Sequence, residues 1–141
     1  MSFEAQERAL FELLFDRALR DRFLAQGPGA LASFGLAPEE LQDFALIKPG
    51  QLQLDVQMRT DLVLQHMCRA FPLSFGLVSS LEQGLTGVPA LIDVSLMRSP
   101  PGDRVVAFGR RLRDQLRKAT FPGRQEQAMV LAILEAELGM A

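Results

Sequence analysis

Leu52-Gln53-Leu54-Asp55-Val56-Gln57-Met58 alternates apolar and polar side chains, the period of a half-buried strand. The run continues through Asp61-Leu62-Val63-Leu64-Gln65-His66-Met67-Cys68-Arg69-Ala70-Phe71. From Asp61 onward, Leu62, Met67 and Phe71 fit helical spacing better, with Leu64 and Cys68 beside them. If the whole stretch is one helix over about 52–70, the chain is all-α. If its first part is a strand, it is not. The helical reading is preferred, and Pro72 then interrupts the helix or begins a new turn.

The flanking sequence supports the all-α reading. Residues 2–26 read as one helix: Ser2 is the expected N-cap, Glu4 and Glu7 suit the first turns, and Phe11, Leu14, Phe15, Ala18 and Leu19 recur at helical spacing. Gly27-Pro28-Gly29 breaks it. A short helix over about 29–34 ends at Gly35, and Ala37-Pro38-Glu39-Glu40 opens another. Lys48-Pro49-Gly50 closes that element. Leu73 to Leu81 is a short apolar helix ending before Gly84, and Val88-Pro89 opens a helix carrying Leu91, Ile92 and Leu96. Ser99-Pro100-Pro101-Gly102 is a break. Asp103 is the expected N-cap of a helix over about 104–119, with Val105, Phe108, Leu112, Leu116 and Ala119 on its apolar face. Phe121-Pro122-Gly123 precedes a last helix over about 124–138. The expected fold is one all-α domain over 1–141, a compact multi-helix arrangement of about six to eight helices, several of them short.

Composition narrows the chemistry. The chain has 141 residues, 48% hydrophobic and 23% charged, which is ordinary for a globular domain with a real core. It contains one histidine, His66, and one cysteine, Cys68, and neither tyrosine nor tryptophan. A protein zinc site takes three or four ligands, and residues two apart on a helix point to nearly opposite faces. A Cys–His nucleophilic pair needs hydrogen-bond reach and a third orienting group. Neither requirement is met on a helix; on a strand His66 and Cys68 would share a face. Cys68 reads as a small core residue. No P-loop, nucleophile elbow or His-Glu-x-x-His helix occurs. The expectation is a chain that is not an enzyme by itself, with no catalytic, cofactor-binding or metal-ligating residue of its own.

One cysteine excludes an internal disulfide, and no apolar run reaches the ~18 residues of a membrane span. The start, Met1-Ser2-Phe3-Glu4-Ala5, lacks the basic, then apolar, pattern of a signal peptide. A cytoplasmic protein without membrane partners is the expectation.

The net charge of −2 hides an asymmetry: 1–65 is acidic, while 98–124 carries seven arginines and a lysine against Asp103 and Asp114. Arg110, Arg113 and Arg117 share one helical face, and Arg104, Arg111 and Lys118 form a second row. Phosphate binding would use such a face, but the chain is acidic overall (pI ≈ 5.4) and has no Tyr or Trp to stack on bases. A partner surface or an acidic peptide suits Arg110, Arg113 and Arg117 better than nucleic acid. Phe71 and Phe75 flank Pro72 within Phe71-Pro72-Leu73-Ser74-Phe75-Gly76, which reads as a packed kink or an apolar docking edge.

His66-Met67-Cys68-Arg69-Ala70-Phe71-Pro72-Leu73-Ser74-Phe75-Gly76, Met97-Arg98-Ser99-Pro100-Pro101 and Phe108-Gly109-Arg110-Arg111-Leu112 resemble the small partner proteins of multinuclear non-heme iron oxidative enzymes in ribosomal-peptide (RiPP) natural product biosynthesis. The look is nearest to the partner subunit of 3-thiaglutamate biosynthesis and covers most of 1–120. The resemblance implies a non-catalytic partner that forms a heterodimer with the iron enzyme and helps engage the ribosomally made precursor peptide. Iron is then expected in the partner enzyme, none in this chain. The implied reaction is a cysteine-directed modification, in the thiaglutamate pathway excision of the β-carbon from a peptide-terminal cysteine. Residues 23–40 separately resemble a helix–turn–helix unit of the small subunit of ring-opening dioxygenases and of nitrile-hydratase-like leader peptides, although Gly27 stands where an acidic residue is usual before Pro28. That likeness implies an alternative role as an accessory small subunit of such an enzyme.

Overall fold

The computed structural model describes residues 3–81 and 84–141. All regular structure among them is helical, as expected of an all-α chain. The α-helices are α1 (Phe3–Phe15), α2 (Arg17–Gln26), α3 (Pro38–Ala45), α4 (Pro49–Ala70), α5 (Pro72–Ser79), α6 (Val94–Arg98), α7 (Pro101–Lys118) and α8 (Arg124–Met140). Two 3-10 segments, Gly27–Phe34 and Pro89–Leu91, link them. The chain divides into two compact units, Met1–Arg59 and Thr60–Ala141. Helix α4 gives its first part to one and its last part to the other.

In the first unit, the expected helix over 2–26 is broken at Asp16. Asp16 leaves helical geometry (φ −102°, ψ 103°), and its side chain accepts from the Leu19 backbone N–H at 3.1 Å, capping α2. Arg20 completes the break by donating to the Leu13 and Leu14 carbonyls at the end of α1. The signal was an N-cap residue inside an otherwise continuous apolar pattern. The Ser2 cap lies outside the described residues. Gly35 ends the first 3-10 segment at φ 71°, left-handed geometry that glycine adopts without a Cβ clash. Glu40 reaches back to the Ala37 backbone N–H at 2.8 Å at the start of α3. Ala9, Leu13, Leu19, Phe23, Leu31, Phe44 and Leu52 form this unit's core.

The deciding stretch is helical throughout, and it begins earlier than its periodicity suggested. Pro49 occupies the first turn of α4, with Leu52 N–H bonded to the Lys48 carbonyl. Lys48-Pro49-Gly50 therefore opens a helix rather than closing α3, which ends at Ala45; proline suits a first helical turn because its missing N–H has no partner there. The strand-like alternation has a simple origin: Leu52 is buried, while α4 leaves Leu54 and Met58 exposed.

In the second unit, Pro72 starts α5 directly after α4, and the chain turns at Phe71. The start of α5 is capped from far away. Glu137 of α8 accepts from Ser74 N–H, Ser74 Oγ and Leu73 N–H. The helix expected to carry Leu91, Ile92 and Leu96 is instead two pieces, because Asp93 caps α6 through the Leu96 N–H at 2.9 Å. Helix α7 starts at Pro101, so Asp103 lies in its first turn and is not its N-cap. Helices α7 and α8 run antiparallel: Gln127 Nε2 donates to the Leu116 and Arg117 carbonyls, and Arg113 pairs with Glu135. Gly109 lets them approach, since a Cβ there would stand 2.5 Å from Leu138 Cδ2 and 2.7 Å from Phe71 Cζ. Phe71, Phe75, Leu96, Phe108, Leu112, Leu116 and Leu134 are buried in this unit.

Candidate functional site

The arginine face of α7 is largely engaged in holding its own unit together. Arg113 Nη1 lies 3.0 Å from Glu135 Oε1, and Arg117 lies 3.7 Å from Asp114 and 4.0 Å from Glu135. In the second row, Arg111 bonds the Asp93 carboxylate at 2.7 Å and the Leu91 carbonyl, and Arg104 donates to the Met97 and Ser99 carbonyls at the end of α6. Burial works to raise the Asp93 pKa, but the Leu96 N–H and the Arg111 guanidinium outweigh it and hold this carboxyl below the usual carboxylate range. Of Arg110, Arg113 and Arg117, only Arg110 is exposed without an ion-pair partner among the described residues. Asp114 of α7 and Glu135 of α8 share the neutralisation of the other two, and helical spacing within α7 holds no trace of Glu135.

Phe71 and Phe75 are core residues. Their ring centroids lie 6.3 and 6.0 Å from that of Phe108. Of the two readings of this segment, the packed kink describes how these rings sit, both buried against Phe108 of α7, and Phe75 also lines a shallow groove. Leu73 between them is the exposed apolar residue.

Cys68 is exposed, contrary to its expected place in the core. Position 67, not 68, faces inward, so Met67 is buried and the thiol lies on the solvent side. Cys68 lines one shallow groove with Leu64, Phe75 and Val88, and His66 lines another with Leu62, Met97 and Arg104. The helix thus separates the pair, as helical geometry requires. Among the described residues no three His, Cys, Asp or Glu side chains group closely enough to hold a metal ion, and no helix is long and apolar enough to cross a membrane.

The surface that sequence reasoning missed lies in the first unit. Helices α1 and α3 each pack on the Gly27–Phe34 segment, and the seam between them stays open. An apolar groove of about 320 Å³ runs there, with Phe3, Leu10, Phe44 and Ile47 as its walls and Gln6, Glu7 and Asp43 at its polar edge. Phe3 is 65% and Leu10 42% exposed, and Leu46, beside Ile47, is 78% exposed. The available signal was an excess of apolar residues on α1. Ala9, Leu13 and Leu14 fill the buried stripe, which leaves Phe3 and Leu10 with no place in the core.

Residues 1–59 carry nine acidic and six basic side chains, and residues 60–141 carry eight and nine. The charge asymmetry read along the chain therefore falls between the two units. No protein-family model matches this chain, and no curated protein or solved structure is significantly similar to it.

Proposed function

We propose that this chain is a non-catalytic partner protein that forms a heterodimer with a multinuclear iron-dependent peptide-modifying enzyme and helps engage the precursor peptide. The modification is directed at a cysteine of that peptide, with β-carbon excision as the reaction class, and the iron belongs to the partner enzyme. The motifs around 66–76, 97–101 and 108–112 suggest this role. The observation that carries a binding role is the apolar surface at Phe3 and Leu10, large side chains left in water along an open groove floored by Phe44 and Ile47. Contiguous exposed apolar area marks interaction sites more often than isolated surface leucines do.

The test is co-expression of this chain with a multinuclear iron-dependent peptide-modifying enzyme and its precursor peptide. The two are expected to co-elute as a heterodimer, and peptide modification followed by mass spectrometry should need both. An iron enzyme that elutes alone and modifies its peptide at an unchanged rate without this chain sinks the proposal.

A further inference from the structure

We infer that the α1–α3 groove is a docking site for a basic amphipathic segment of a partner protein, whose apolar side chains enter between Phe3, Leu10, Phe44 and Ile47 and whose Lys or Arg side chains meet Glu7 and Asp43. The two halves of this occupant follow from the two chemistries of the site.

The apolar half follows from the walls. Phe44 is buried and Ile47 half-buried, so the floor belongs to the core and is preformed, while Phe3 and Leu10 stand open on the α1 side. A seam of about 320 Å³ is at the small end of the roughly 300–1,000 Å³ typical of ligand pockets, and here it is shallow and open along one side. Such a shape buries a few side chains projecting from a segment laid along it, in the manner of a helix in a groove.

The basic half follows from the edge. Glu7 on α1 and Asp43 on α3 line the groove from its two sides, and neither carboxylate has an ion-pair or hydrogen-bond partner among the described residues. Glu4 on α1 and Glu39 on α3 add exposed carboxylates on the same two helices. No basic side chain lines this groove. An anionic membrane or an acidic peptide would meet like charge there, whereas a basic segment would be steered in and its register set by the two carboxylates. This goes beyond the proposed function, because the groove's chemistry selects the segment whichever protein carries it.

The test uses the full-length chain and two fluorescein-labelled synthetic amphipathic peptides of about 14 residues, near the shortest length at which an isolated helix forms. One peptide carries Leu with Lys, the other Leu with Glu, in the same pattern. Fluorescence anisotropy should show the Leu/Lys peptide binding at least roughly tenfold more tightly, with the difference shrinking as salt screens the charges. Glu7→Lys with Asp43→Lys should reverse that order, and the near-isosteric Glu7→Gln with Asp43→Asn should abolish it. Both residues are exposed, so both variants should keep the wild-type circular dichroism. Leu10→Ser should weaken both peptides. No binding, equal binding of the two peptides, or a preference for phosphatidylglycerol vesicles over the Leu/Lys peptide would overturn the inference. So would an unchanged order in a reversal variant that has kept its helical signal.

Discussion

Glu137 and Ser74 are joined by two hydrogen bonds across 63 residues of sequence, Ser74 N–H donating to Glu137 Oε1 at 2.8 Å and Ser74 Oγ at 2.6 Å. The other carboxylate oxygen accepts from Leu73 N–H at 3.3 Å. Helix α5 has no side-chain cap of its own, since Phe71 precedes it and Pro72 occupies its first position. A carboxylate from α8, only 4% exposed, satisfies two of the first-turn N–H groups that any helix start leaves without an intrahelical acceptor, and sits at the positive end of the helix. Glu137→Ala should destabilise the chain by about 2–4 kcal/mol, because buried donors lose a charged acceptor. Glu137→Gln keeps one acceptor oxygen and should lose less. Urea unfolding of the two variants beside wild type checks the order; equal midpoints for all three proteins would show that water caps α5 just as well.

Gly109 sets two expectations against each other. Alanine favours a helix interior over glycine by about 1 kcal/mol. Yet its Cβ would intrude on Leu138 and on the buried Phe71 ring. Overpacking of a filled core costs about 1–3 kcal/mol, so Gly109→Ala should be destabilising on balance. A raised melting temperature would mean that Phe71 and α8 yield easily. Gly102, with nothing near its Cβ in the first turn of α7, is the control in which alanine should be neutral or stabilising.

Asp93 predicts an acid limb. Its folded carboxyl titrates below its unfolded value, so below about pH 4 the unfolded chain binds the extra proton. The stabilisation is therefore present above the unfolded pKa and is lost as pH falls through the folded one. Asp93→Asn retains an acceptor for the Leu96 N–H but loses the charge that pairs with Arg111. At neutral pH the change should cost less than about 1 kcal/mol, because the pair is partly exposed. Between about pH 5 and pH 3 the variant's urea midpoint should fall less steeply than wild type's. Parallel slopes would assign the acid sensitivity to other carboxylates.

Arg113 and Arg110 should separate in their effects although they lie one turn apart. Arg113→Glu places a carboxylate against Glu135, exchanging attraction for repulsion, and should cost about 1 kcal/mol of stability. Arg110→Glu should stay within about 0.5 kcal/mol of wild type. Any loss of partner or acidic-peptide association from Arg110→Glu is then a direct surface effect, and it should diminish at high salt. Calorimetric titration at two ionic strengths reads it; unchanged affinity at both would leave Arg110 as a solvated side chain.

Local signals carried the helices. Pro38 opens α3 and Gly35 closes the first 3-10 segment as read, because proline's missing N–H and glycine's freedom at positive φ act within a single turn, whereas Pro49 and Pro101, read as breaks, in fact start α4 and α7. The same locality made the all-α class legible in spite of the strand-like alternation at 52–58. Asp16 and Asp93 show the limit, since an N-cap inside an apolar pattern is outweighed when the pattern is averaged over a window. Tertiary structure alone decided which charges are free and which apolar residues are left over. Glu135 neutralises Arg113 from 22 residues away, Glu137 caps α5 from 63, and Leu138 and Phe71 converge on Gly109. The chain itself set the sum of acidic and basic side chains and of apolar surface. Packing chose among them, burying Phe71 and Phe75 while leaving Phe3, Leu10 and Cys68 in water, because a core of limited volume fills with the side chains that the helix crossings aim inward.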